Sequence, residues 1–146
     1  TMKNAILVIM LFISSVSFAQ FDLSSSVGFG IEINKQLDYQ LFQTTVTIEP
    51  QYKIDKITLS SQSEAMQNDS NTLFYTGLKA GYEFWQKENK SLQVAGHALI
   101  GTEGRKKLGG GLTYVVDNIS LNLDLSQEYK AKTFVGILSV GFYLTR

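Results

Sequence analysis

The chain has 146 residues, enough for one domain, and its 13 basic and 13 acidic residues cancel. That balance excludes the basic field a nucleic-acid binder needs, and the absence of cysteine excludes a disulfide framework, a thiolate metal site and a lipid anchor on a leader cysteine. Charged residues make up 18% of the chain, below the roughly 25% of ordinary soluble domains, and a surface facing lipid would account for the deficit.

Residues 1–19 read as a secretory leader to be removed. Lys3 supplies the positive charge, Ala5 to Ile13 is an unbroken apolar run, and Ser17-Phe18-Ala19 is a small-x-small cleavage site. The apolar run is too short for a spanning helix, which takes about 20 residues. The mature domain is then 20–146, exported to the periplasm, the outer membrane or beyond.

From there the side chains alternate with the period of two that defines a strand. The first strand, 22–33, sets Leu23, Val27, Phe29, Ile31 and Ile33 against small residues and Glu32. A polar connection over 34–41 follows. The second, 42–54, sets Phe42, Val46, Ile48, Tyr52 and Ile54 against a wholly polar face that includes Glu49, Gln51 and Lys53. Pro50 has no N–H for the ladder, so a bulge is expected there, or the end of pairing. After the turn Asp55-Lys56 comes a short third strand, 57–63, fading into serines, and a polar loop over 64–72.

The fourth strand, 73–85, sets Phe74, Leu78, Ala80, Tyr82 and Phe84 against Tyr75, Gly77, Lys79, Gly81 and Glu83. A charged turn over 86–91 leads to the fifth, 92–101, where His97 lies on the less apolar side. A loop over 102–106 precedes the sixth, 107–116, with Leu108, Leu112, Tyr114 and Val116 on one face. Asp117-Asn118 turns the chain into the seventh, 119–128, which sets Ile119, Leu121, Leu123 and Leu125 against Ser120, Asn122, Asp124 and Ser126. The last, 133–146, is the longest oily stripe: Phe134, Leu138, Val140, Phe142 and Leu144. Eight strands with alternating longer and shorter connections predict an antiparallel up-and-down barrel closed by pairing the last strand with the first.

Two patterns say which face looks outward. The polar face is Ser, Thr, Gly, Asn and Gln with isolated charges, suited to filling a narrow bore rather than meeting water. On the apolar face the aromatics are banded. Tyr52, Tyr82, Phe84, Tyr114 and Phe142 lie toward the short turns or the C-terminus, and Phe42, Phe74 and Phe134 toward the loops. Two rings around an aliphatic band are the girdles of a transmembrane barrel. Inside it, Glu32, Glu49, Gln51, Lys53, Lys79, Glu83, His97 and Asp124 are expected to form a polar network plugging the lumen, together with Lys107. Of the charges near strand ends, Glu32, Lys53, Glu83 and Lys107, about half are expected to be simply wet, where the desolvation cost is small.

In its leader, strands and girdles the chain resembles the small outer-membrane β-barrel proteins of the OmpA transmembrane-domain type, also described as porin-family barrels. The segments SVGFGIEI, FYTGLKAGYEF and VGILSVGFYL carry the resemblance. Family members usually close on an aromatic residue read by the insertion machinery; here Phe142 and Tyr143 are followed by Leu144-Thr145-Arg146. The resemblance implies a bacterial outer-membrane protein, with membrane lipid and the barrel-insertion machinery as partners.

No catalytic, metal or cofactor site is expected. His97 is the only histidine, and it is followed by Ala98-Leu99, without the serine a barrel deacylase would place two residues on. Gly109-Gly110-Gly111 lacks the following helix and the Lys-Ser/Thr pair of a phosphate loop. The run Glu103 to Lys107 is a short basic loop end, read first as a solvated run; outside the cell it could touch lipopolysaccharide phosphates. The expected function is non-enzymatic: a structural, adhesive or surface-interaction role. The alternatives are a narrow pore for small solutes and a soluble periplasmic barrel holding an apolar ligand.

Overall fold

The computed structural model describes residues 20–67 and 71–144. The expected leader and the closing Thr145-Arg146 lie outside the described residues. Eight strands follow in order: β1 (Gln20–Ile33), β2 (Tyr39–Ile54), β3 (Ile57–Gln67), β4 (Thr72–Lys87), β5 (Lys90–Gly101), β6 (Lys106–Val116), β7 (Ile119–Glu128) and β8 (Thr133–Tyr143). Each pairs antiparallel with its sequence neighbours, and β8 pairs with β1, so the sheet closes on itself.

The two rims differ. At one, the strands are joined by the two-residue turns Asp55-Lys56, Glu88-Asn89 and Asp117-Asn118. Asp55, Glu88 and Asp117 each take a positive φ, 55°, 53° and 53°, as the primed turns that suit twisted hairpins require at their first residue. Both ends of the barrel domain are at this turn rim. At the other, the loop rim, the connections are 34–38, 68–71, 102–105 and 129–132.

Several boundaries depart from the alternation reading. Strand β3 runs to Gln67 rather than stopping at Ser63, because its outward positions Ser61 and Ser63 are exposed serines while the inward set Thr58, Ser60, Gln62, Glu64 and Met66 stays buried. β2 starts at Tyr39, and the charged turn over 86–91 shrinks to two residues. Pro50 makes no bulge: pairing with β3 skips from Ile48↔Ser63 to Gln51↔Ser60 in unchanged register. The register shifts fall instead between Gly28 and Gly30 and between Glu83 and Trp85.

Alternation sorts the two faces. Leu123, Leu138 and Val46 are on the outer wall, with 47%, 39% and 36% of their surface exposed, whereas Gln51 is buried in the bore. The bore is narrow enough that glycine is required where backbones crowd. A Cβ on Gly77 would stand 2.0 Å from the Ala98 carbonyl oxygen, and one on Gly28 2.1 Å from that of Leu138.

Candidate functional site

The lumen collects almost every charge that lies on the strands, and its two halves are built differently. Near the loop rim, Met66, Leu73, Tyr75, Leu99, Val135 and Ile137 form an apolar cluster inside the barrel. Lys107 passes through it. Its side chain is completely buried and its ammonium donates to the Glu64 carboxylate, lies 3.9 Å from the Met66 Sδ and sits 4.6 Å above the Tyr75 ring. An ammonium this deep survives only with a carboxylate partner, and the aromatic face adds a cation–π contribution.

Next to this pair, Arg105 Nη1 lies 3.6 Å from Glu128 and 4.0 Å from Glu32. Glu128 is fully buried and also accepts the backbone N–H groups of Lys130 and Ala131, at 3.1 and 2.6 Å. Glu32 accepts the Thr133 hydroxyl at 2.7 Å. These contacts staple the last loop down over the bore.

At mid-depth the packing loosens. His97 Nε2 lies 2.7 Å from Asp124 Oδ2. Glu49 accepts from the Ser60 hydroxyl at 2.7 Å and from Lys79 at 3.1 Å. Thr113, Asn122, Ser120 and Ser139 form a relay of hydroxyl and amide bonds at 3.0–3.4 Å. A cavity of about 60 Å³ opens among Ser24, Glu49, Gln51, Ser60, Gln62, Lys79, Thr113 and Asn122. The Gln62 Oε1 and Asp124 Oδ1 atoms are buried without a hydrogen-bond partner among the described residues. A space of this size and polarity suits ordered water. Toward the turn rim, Lys53 pairs with Glu83 at 3.0 Å.

The eight lumen residues read from the sequence lie on the inward face of the sheet, and Glu49, Gln51, Lys79 and Asp124 among them line the cavity. Of the four strand-end charges, Glu32 and Lys53 are half-buried, whereas Glu83 and Lys107 are sealed at 3% and 1% exposure. Sequence reasoning missed Glu64, Arg105 and Glu128 as lumen residues. The signal was present for Glu64: extending the Thr58, Ser60, Gln62 period reaches it. Arg105 stands in a loop, where no period speaks. The basic run therefore divides, with Arg105 and Lys107 turned inward and only Lys106 exposed on the wall.

Outside, Tyr52, Tyr82, Phe84, Tyr114 and Phe142 project from the turn-side half, and Phe74 and Phe134 from the loop-side half, all exposed. The Phe42 side chain lies outside the described residues. Phe21 and Trp85 extend the first ring, Tyr39 and Tyr129 the second, and Phe21 packs on Tyr52 with ring centroids 5.2 Å apart.

No family model and no curated protein matches the chain. Solved structures do. Neisserial surface protein A superposes with a TM-score of 0.67 at 15% identity, over 88% of this chain and 99% of its own. Ail, the attachment invasion locus protein of Yersinia pestis, gives 0.52 at 16% identity, over 86% and 99%. A de novo designed transmembrane β-barrel gives 0.54 at 13% identity, over 84% and 95%. At these identities the likeness establishes the fold alone: an eight-stranded, up-and-down closed barrel, the architecture these transmembrane proteins share.

Proposed function

We propose that this chain is a non-enzymatic protein of the bacterial outer membrane, delivered there through a cleaved leader, whose work is structural or done by the surface it shows at the loop rim. The observation that carries the reading is the inversion of the barrel. Oily side chains ringed by two aromatic belts face outward, and ion pairs face inward, which is the order hydrocarbon imposes and water would not. A soluble carrier would place Leu123, Leu138 and Val46 around a ligand.

The partners that follow are the membrane lipid, including lipopolysaccharide, and the machinery that inserts barrels; nucleic acid has no basic field to bind. The described loops 34–38, 102–105 and 129–132 are four or five residues each, short for enclosing a large ligand, so adhesion would use the rim as a surface. The narrow-pore alternative is disfavoured by the cluster around Lys107, which fills the bore below the loop rim. Eight strands leave an interior that side chains can fill, whereas diffusion porins use about 16–18.

Fractionation tests the class. The protein should require detergent for extraction and migrate faster on unboiled gels than boiled ones. Release by osmotic shock without detergent would overturn the proposal. Planar-bilayer recording should show no steady conductance; a stable open level would favour the pore.

A further inference from the structure

The loop rim carries an asymmetry that the plug does not use. On the outer wall where β5, β6 and β7 end, Ile100 pairs with Lys106, and the Tyr129 N–H donates to the Lys106 carbonyl at 2.9 Å. One step below, Leu108 pairs with Gln127 and Gln127 with Phe134. Lys130 reaches across to the Glu103 carbonyl oxygen and ties the loops 102–105 and 129–132 together. Lys106, Lys130 and Lys132 are all exposed, and none has an ion-pair partner among the described residues. In these two loops the carboxylates are few: Glu103 is the exposed one, because Glu128 at the end of β7 is buried against Arg105.

The turn rim provides a contrast. There Lys56, Lys87 and Lys90 are also exposed, but Asp55, Glu88 and Asp117 stand beside them in the turns and cancel their charge. In the loop 34–38 exposed Lys35 and Asp38 balance, so among the described residues the excess of cations falls in one sector of one rim. Beneath it the wall is apolar and exposed at Ile100, Leu108 and Phe134.

Cations with hydrogen-bonding neighbours above, and a greasy wall directly below, match the two halves of one molecule. We propose that Lys106, Lys130 and Lys132 bind the phosphate-bearing headgroup of an outer-leaflet lipid whose acyl chains lie along Ile100, Leu108 and Phe134. This rests on the membrane reading above and locates one lipid site within it. Ammonium groups pair with phosphate oxygens as charge-assisted donors, and Gln127 and Tyr129 offer polar groups at the level where headgroup meets acyl chain.

The test uses the protein purified from membranes in neutral detergent, titrated with bisphosphorylated lipid A and followed by native mass spectrometry. One retained lipid is expected. The triple variant Lys106→Ser, Lys130→Ser, Lys132→Ser should bind at least about tenfold more weakly, given what each basic residue contributes near a charged lipid surface. Lipid A stripped of phosphate should be as weak on the unaltered protein, and inorganic phosphate alone should not compete. An unchanged gel shift on boiling shows that the variant is folded. Wild-type retention by the triple variant would sink the proposal. So would an equal loss when Lys56, Lys87 and Lys90 are changed to serine instead, since the attraction would then be general. Competition by inorganic phosphate would reduce the site to one for a small ion. A protein that leaves the cell without detergent defeats the membrane reading itself, a separate outcome.

Discussion

The two halves of the lumen solve the same problem in opposite ways. Toward the loop rim, Lys107 and Glu64 are buried among Met66, Leu73, Tyr75, Leu99, Val135 and Ile137. At mid-depth, Glu49 and Lys79 keep some exposure and border a cavity of about 60 Å³ among hydroxyl and amide side chains. In the first arrangement apolar side chains surround the ion pair, so loss of either partner leaves a buried charge uncompensated. The second can admit water wherever a partner is lost. The difference teaches that sealing and filling are separate tasks: one layer of apolar packing closes the tube, and the rest of the bore need only satisfy its polar groups.

The comparison breaks most visibly at Lys107. Lys107→Met strands Glu64 as an uncompensated buried carboxylate and should cost roughly 3–5 kcal/mol, read as a lower urea midpoint of the gel-shift form. The double variant Lys107→Met, Glu64→Leu removes both charges and should recover most of that loss. Lys79→Met, beside the cavity, should cost clearly less, because water can reach Glu49. Equal losses at the two sites would erase the distinction between the halves.

The outer wall supplies the next test. Leu123→Arg sets a guanidinium in hydrocarbon and should cost about 2–4 kcal/mol if the position meets lipid near mid-depth. Backbone crowding sets two glycines apart, one on each face. Gly77→Ala forces a Cβ against the Ala98 carbonyl and should cost roughly 1–3 kcal/mol. Gly96→Ala meets only the Gly109 carbonyl, at 3.7 Å, and should change stability by less than about 0.5 kcal/mol. The relay falls between those two: Asn122→Ala should cost about 1 kcal/mol, since water can replace a lost hydrogen bond there. Equilibrium unfolding from detergent or bilayer, variant by variant, measures the series.

Much of this was legible in the chain as written. Eight stripes with period two gave the strand number and the two faces, because a strand's side chains must alternate whatever surrounds it. The same logic aimed Glu49, Gln51, Lys53, Lys79, Glu83, His97 and Asp124 into the bore. It failed where hydrophobicity stopped marking the outside. Ser61 and Ser63 look outward from β3, so the pattern ended early and Glu64 was read as part of a loop.

What sequence by itself determined is the class of solution: a closed antiparallel barrel with a greasy exterior and a polar interior, since periodicity is local. Only tertiary structure decided which charges meet. Lys107 finds Glu64 across 43 residues and Thr133 finds Glu32 across 101, pairings set by the stagger and closure of the sheet, which no single strand contains. Alternation along β6 already set Lys107 inward and Lys106 on the wall; tertiary structure alone brought the loop residue Arg105 in beside Glu128 and Glu32.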